Sequence, residues 1–289
     1  MNEPLGLERA LRHILWEVRA YLPDLVVIGG WVPYLYRRYG GFPSWTLELP
    51  LTTEVDILVH QPLPRCGDET IPEILLNAGF EPRGGAGHAA VWAREPEAGE
   101  MVEFLVAHTG IARQRGQVVP VSGQEGLGAI ALEGLDLLRR HTTTLTVPLG
   151  RTGEATHASG VIVPRLGIYA VNKAVTFPYR SAEAVEMGNP RRTKDLLYLR
   201  DLMAAAETVA THIEDDIREI IQGDDRARRA IRTAHQNLEL VLAGALQAAL
   251  PEVADAVSLR TGSGFVAALS DVRGHLTDFQ MILEEALHG

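Results

Sequence analysis

Cysteine is almost absent from this sequence, and no long hydrophobic run occurs in it. The 289-residue chain has one cysteine, Cys66, so it can form no internal disulfide and no cysteine-based metal site. Its longest apolar stretch, residues 25–36, contains two glycines and a proline and is shorter than the roughly 18 residues that a membrane span needs. We therefore expect a cytoplasmic protein that does not associate with a membrane.

Positive charge is also scarce, and several catalytic motifs are missing. The chain has 27 basic and 37 acidic side chains. This excess of negative charge disfavours broad, non-specific binding to a nucleic-acid backbone but permits a local basic patch. The motifs G-x-x-x-x-G-K-[ST], H-E-x-x-H and G-x-S-x-G do not occur. Their absence argues against P-loop NTPases, zinc proteases of that type and serine hydrolases.

The pattern that is present divides the chain into two different halves. Residues 1–145 alternate between predicted helices and strands, which indicates an α/β domain with a mixed sheet. Residues 146–289 begin with a short β connector or small hairpin and then show helical spacing almost to the end, with one helix predicted over residues 226–249. We predict an α+β protein with two domains, 1–145 and 146–289. The first domain has these predicted strands, of which the last two should pair as an antiparallel hairpin: Leu25–Ile28, Val55–Val59, Ala89–Ala93 and Met101–Ala107. A helix is predicted over Trp31–Tyr39.

Three acidic residues lie on these strands. Glu54 and Asp56 are two residues apart, so their side chains share one face of a strand while Val55 points into the core. If the strand that carries Glu103 is a neighbour, a third carboxylate reaches the same place, which gives the oxygen-rich site that Mg²⁺ prefers. The Gly29-Gly30 turn before a predicted helix offers close backbone approach and a positive helix end for phosphates. Ordinary alternatives are a solvated strand end, an exposed acid and a tight turn.

The order of these features resembles the minimal DNA polymerase β-like nucleotidyltransferase fold. In that fold a strand ends in G-[GS], a helix follows, and a D-x-D pattern and a third acid lie on later strands. The resemblance covers about residues 24–107. It implies that an NTP, aligned by Mg²⁺, is attacked by an acceptor hydroxyl. By this resemblance the metal ligands are Glu54, Asp56 and Glu103, and the nucleotide-binding residues are Gly29, Gly30 and Thr52.

The sequence departs from the pattern of that fold at two places. The first metal ligand is Glu54 where aspartate is usual. The arginine that is common just before the Thr-x-Asp turn is missing, since its neighbourhood reads Leu49-Pro50-Leu51.

A basic region in the second half is similar to bacterial nucleotidyltransferase-like proteins related to the AbiEii toxin family. Their K…R…(K/R)-D-L pattern matches Lys173, Arg180 and the run Arg191-Arg192-Thr193-Lys194-Asp195-Leu196. This resemblance implies that Lys173, Arg180 and Lys194 meet the nucleotide phosphates and that an antitoxin is a candidate partner. Helical spacing also places Lys173 and Arg180 on one face. Packing with a snorkelling lysine, or a local pair between Lys194 and Asp195, would explain the same residues.

We therefore predict a Mg²⁺-dependent nucleotidyltransferase that moves a nucleotidyl group from an NTP to a hydroxyl of RNA, a small molecule or a protein. The alternative is a catalytically silent member of the same fold that binds nucleotides or a protein partner, and Glu54 supports it. A third interpretation is a structural α/β protein whose acids have no common role.

Overall fold

The computed structural model describes residues 3–45, 52–84, 87–94, 100–108, 116–151, 156–186, 193–244 and 249–289, with side chains in all of these except 3–5 and 179–186. The chain folds as two compact units. The first unit comprises Met1–Gly41 and Leu49–Pro164, and the second comprises residues 165–289 with residues 42–45.

The first unit contains a mixed sheet with helices. Its helices are α1 (Glu3–Glu17), a 3₁₀ helix (Arg19–Asp24), α2 (Trp31–Tyr39), α3 (Ile71–Asn77) and α4 (Leu135–Arg140). Its described strands are β1 (Leu25–Ile28), β2 (Glu54–Val59), β3 (Glu81–Arg83), β4 (Val91–Arg94), β5 (Glu100–Ala107), β6 (Val118–Pro120), β7 (Gly128–Leu132), β8 (Thr142–Leu149) and β9 (His157–Pro164). The strand order is β3-β4-β5-β2-β1-β9-β8. β7 pairs with the C-terminal end of β5, and β6 pairs with β7.

The centre of this sheet, where β1, β2 and β5 have partner strands on both sides, is largely apolar. All four residues of β1 are buried, and the burial of β2 and β5 alternates at their beginnings before it becomes continuous. Strands that are covered on both faces read as continuous apolar runs, whereas alternation marks the part where one face opens. The beginnings of β2 and β5 are therefore the place where polar side chains are accommodated.

The second unit is helical. Its helices are α5 (Leu166–Glu186), α6 (Lys194–Met203), α7 (Glu207–Gly223), α8 (Asp225–Leu242), α9 (Ala249–Thr261) and α10 (Phe265–His288). Each buries an apolar stripe at helical spacing, such as Val272, Leu276, Phe279 and Leu283 on α10. In the part of the chain that the structure describes, no helix combines the length and the apolar character needed to cross a membrane.

The predicted α+β class with a mixed sheet is confirmed. The division between the units differs from the predicted boundary at 145/146, because it falls after Pro164. The segment predicted as a connector or a small hairpin forms the β8–β9 hairpin, and β9 pairs in parallel with β1 at Val26 and Ile162. This pairing makes the hairpin part of the first unit's sheet, which composition alone did not indicate.

Candidate functional site

The two acids of β2 and the acid of β5 are brought together by the strand register. β2 and β5 are parallel neighbours, and Asp56 stands directly opposite Glu103. Adjacent strands are about 4.8 Å apart, and residues in register point to the same face. Val55 and Val102 on the other face are at most 1% exposed, whereas the three acids are partly exposed. The condition under which Glu103 was predicted to join Glu54 and Asp56 is thus met by the backbone.

Gly29 lies against this row of acids. Ile28, the last residue of β1, is opposite Asp56 in an antiparallel pair, so the turn begins directly beside the carboxylate. Gly29 has a φ of +71°, and a Cβ atom built on it would lie 1.8 Å from Oδ2 of Asp56. Both the left-handed backbone and the lack of space require glycine here. Gly30 follows as the N-terminal cap of α2.

Two side chains fix the start of β2. Trp31, the first residue of α2, is 1% exposed and donates its indole N–H to the carbonyl of Glu54 at 2.9 Å. Thr52 is 8% exposed, and its hydroxyl accepts a hydrogen bond from the N–H of Glu54 at 3.4 Å. Sequence reasoning missed the role of Trp31, although an aromatic residue directly after the Gly-Gly turn was a usable signal. These contacts hold the backbone of Glu54 against the helix that follows the turn.

The start of β5 is held from its opposite face. Glu100 is 7% exposed, and each of its carboxylate oxygens lies 3.2 Å from Nδ1 of His13. Its Oε2 also forms an ion pair with Nε of Arg94 at 2.7 Å. His13 also lies 3.4 Å from a carboxylate oxygen of Glu17. Removing one partner of such a buried cluster leaves uncompensated charge. No sequence pattern indicated this cluster, which holds β5 three residues before Glu103.

The donor set of the three acids suits a hard cation, because all of their ligating atoms are carboxylate oxygens. Over the residues with described side chains, no three His, Cys, Asp or Glu residues are grouped closely enough to hold a metal ion. Like charges repel when no cation separates them. The backbone therefore brings three acidic positions together, while the side chains do not form a closed metal-binding set.

In the second unit, Lys173 lies in a buried cluster of α5 and α6. It is 5% exposed, and its Nζ donates to Oδ1 of Asp195 at 2.8 Å, while Thr176 donates to the other carboxylate oxygen at 3.3 Å. The rings of Tyr169 and Tyr198 have their centroids 5.2 Å from the same Nζ. The predicted local pair between Lys194 and Asp195 is replaced by this longer-range pair, because α6 packs beside α5.

The buried pair predicts a large effect on stability. Replacing Lys173 by alanine leaves the carboxylate of Asp195 buried without its cation, so we expect a loss of about 3–5 kcal/mol in the free energy of unfolding. Urea titration followed by circular dichroism measures this loss. Lys194→Ala at the partly exposed neighbouring lysine is the control and should change stability little. Unchanged stability of Lys173→Ala together with selective loss of triphosphate over nucleoside binding would instead favour the predicted phosphate contact.

The other predicted phosphate ligands fall in different surroundings. Lys194 is the first residue of α6, partly exposed, with its Nζ 5.6 Å from the ring centroid of Tyr198. The side chain of Arg180, and Arg191 and Arg192 as a whole, lie outside the described residues.

The comparisons with known proteins give one match. A family model described as nucleotidyltransferase matches residues 13–222, which is 210 of the 289 residues. The matched range includes β1, the Gly-Gly turn, all three acids and the buried ion pair between Lys173 and Asp195. Neither the curated proteins nor the solved structures gave a match.

Proposed function

Because the chain belongs to the nucleotidyltransferase family, we propose that its first unit transfers a nucleotidyl group from an NTP to an acceptor hydroxyl in a Mg²⁺-dependent reaction. Glu54, Asp56 and Glu103 are the proposed metal ligands. In this reaction the acceptor hydroxyl loses its proton to solvent and its oxygen forms a bond to the α-phosphorus. The bond between that phosphorus and the oxygen that bridges to the β-phosphate breaks, and pyrophosphate leaves.

One observation carries the proposal: Asp56 lies in register between Glu103 on β5 and the end of β1, where Gly29 allows no side chain. An acid at a solvated strand end does not need a glycine in close contact with its carboxylate. The close packing of Gly29 limits where the carboxylate of Asp56 can lie, and a fixed position is what a ligand-binding carboxylate requires. The residues of this row also fall inside the range matched by the family model.

The roles of the chain's own residues follow from their positions. The three carboxylates would bind the cation and converge when it neutralises their repulsion. When bound, Mg²⁺ would neutralise triphosphate charge and activate the acceptor hydroxyl. Gly29 and Gly30 would let phosphate oxygens approach the backbone at the start of α2. Thr52 and Trp31 would orient the backbone of Glu54, and no protein nucleophile is required.

Membership of the family does not determine the acceptor or the partners, so both are part of the proposal. RNA, a small molecule or a protein would each supply a hydroxyl, and an antitoxin is the proposed protein partner through the resemblance to AbiEii-related proteins. The single cysteine, which is exposed and free, is in keeping with a cytoplasmic protein. The second candidate is a silent nucleotide-binding member, favoured by Glu54 in place of aspartate and by the absence of a closed three-ligand set among the described residues.

Calorimetry tests the proposed function directly. Each NTP is titrated into the full chain with Mg²⁺ and again with EDTA, and pyrophosphate release is assayed with RNA, small-molecule and protein acceptors. We expect NTP binding that depends on the metal and turnover with one acceptor class. Metal-dependent binding without turnover would favour the silent binder, and no NTP binding in either buffer would overturn the proposal.

Glu54 distinguishes a working enzyme from a silent binder. If the natural protein is active, Glu54→Asp withdraws a metal-binding oxygen by one methylene and should lower turnover by about 10-fold to 100-fold. In a silent binder the same change should leave metal binding equal or stronger. The measurement is titration of Mg²⁺ and Mn²⁺ with NTP present, together with pyrophosphate release. Glu81→Asp, the same shortening at an exposed residue of β3, is the control and should change neither quantity.

A further inference from the structure

The outer face of α8 is densely basic. Arg226, Arg228, Arg229 and Arg232 lie within seven residues and are all exposed. The opposite face of the helix is buried, through Ala227, Ile231, Ala234, Leu238 and Val241. Helical spacing places Arg228, Arg229, Arg232 and Gln236 along one outward ridge, which we term the α8 ridge.

The arginines of the α8 ridge are not used in ion pairs. Arg228, Arg229 and Arg232 contact no carboxylate of the described residues, and Arg228 donates only to the carbonyl of Ile221, at 3.4 Å. Other arginines of the same unit do form ion pairs with carboxylates. These are Arg165, Arg200, Arg218 and Arg260. Those four arginines are neutralised within the unit, whereas the arginines of the α8 ridge are available for an external anion. Arg273 on α10 is likewise exposed, and it donates to the carbonyl of Leu242 at 3.2 Å.

The surroundings of the ridge add to this contrast. No acidic residue occurs between 226 and 238, although the chain as a whole carries a formal net charge of -10. α8 also begins at Asp225, just beyond the range 13–222 that the nucleotidyltransferase model matches. The basic ridge therefore lies outside the region that the family model matches.

We propose that the α8 ridge binds the phosphate backbone of single-stranded RNA. This binding selects RNA among the three acceptor classes, and that acceptor role rests on the proposed function. Arginine forks match phosphate oxygens bidentately, and side chains three and four apart on a helix lie about 5–6 Å from each other, so that neighbouring phosphates can be contacted together. The ridge consists of arginine and glutamine, with the exposed Leu240 one turn beyond Gln236, whereas the centre of a protein interface is apolar or aromatic. An extended polyanion therefore fits the ridge better than an acidic protein does.

Fluorescence anisotropy with a labelled 20-nucleotide RNA of mixed sequence tests the proposal on the full chain. With three phosphates neutralised, the affinity is expected to fall by about 20-fold between 50 and 200 mM salt. The triple variant Arg228→Gln/Arg229→Gln/Arg232→Gln should bind at least 20-fold more weakly at 50 mM salt and lose most of its salt dependence. The triple arginine-to-lysine variant should keep the salt dependence, because it keeps the charge.

A matched control removes the same charge elsewhere. Arg65, Arg83 and Arg151 are exposed residues of the first unit, and their triple glutamine variant should bind RNA as the natural protein does. Equal losses in both triple variants would mean that total charge alone matters, and the proposal would be wrong.

Competitors test the identity of the ligand. Polyglutamate that competes better than RNA at equal charge would assign the ridge to an acidic protein, and DNA bound more than tenfold more tightly than RNA would remove the RNA assignment. Calorimetry with NTP and Mg²⁺ on the ridge variant keeps the two proposals separate, and unchanged NTP binding is expected. Failure of NTP binding in the natural protein would overturn the proposed function and the acceptor role of RNA, but not RNA binding by the ridge.

Discussion

Replacing Asp56 by asparagine is expected to abolish metal-dependent NTP binding or turnover while the protein stays folded. Asp56 occupies the middle of the row of acids, between the end of β1 and Glu103 on β5. Charge stabilisation by a bound metal is worth several kcal/mol, so its loss should lower turnover by about 100-fold or more. Because asparagine removes one of several mutually repelling charges, the melting temperature should stay unchanged or rise.

The measurements for Asp56→Asn are pyrophosphate release, calorimetry with NTP and Mg²⁺, and thermal unfolding. Asp68→Asn in the first unit, at an exposed loop acid, is the control and should behave as the natural protein in all three. A large fall in the melting temperature of Asp56→Asn would identify a structural acid, and unchanged turnover would remove Asp56 from the proposed metal ligands.

Replacing Gly29 by alanine is expected to inactivate the protein about as strongly as Asp56→Asn, although it removes no charge. The added Cβ would occupy the place of Oδ2 of Asp56, at 1.8 Å, so the carboxylate must move. The left-handed backbone at Gly29 adds a cost of about 1–3 kcal/mol for any other residue. The unfolding free energy and the rate of pyrophosphate release measure the two effects separately.

Gly41 provides a matched control for the backbone part of this effect. Its φ is +81°, and a Cβ atom there would meet nothing within 4 Å. Gly41→Ala should therefore lower stability through the backbone alone and keep activity. In an Asp56→Ala background, where the carboxylate is gone, Gly29→Ala should cost less than in the natural protein. Additive stability losses in that double variant would contradict the collision.

Local sequence patterns predicted many elements of both units. The apolar, β-branched run of β1, the helix Trp31–Tyr39 and the antiparallel pairing of β4 with β5 are all present as expected. Glycine also located the turn at the end of β1. These features depend on interactions between residues close in sequence, which periodicity and turn chemistry report.

Some elements were mispredicted because their limits depend on stops or partners that the pattern did not reveal. One long helix was expected over 226–249, but α8 ends at Leu242, before Gly244 with its φ of +84°. The separate helix α9 was missed, although Pro251 near its start is a recognised feature of a first turn. β6 and β7 were missed as well, because such short strands exist only through pairing with each other and with β5.

The sequence by itself determined that Glu54 and Asp56 share a face of one strand, because side chains alternate with a period of two along any strand. It also determined that a glycine turn precedes a helix, because Gly-Gly ends an apolar run and helical spacing follows it. Only the tertiary structure decided that β2 and β5 are parallel neighbours with Asp56 opposite Glu103, and that Lys173 is buried against Asp195. Strand order, register and helix packing follow from long-range contacts that compete across the whole core, and the local pattern of one segment does not specify them.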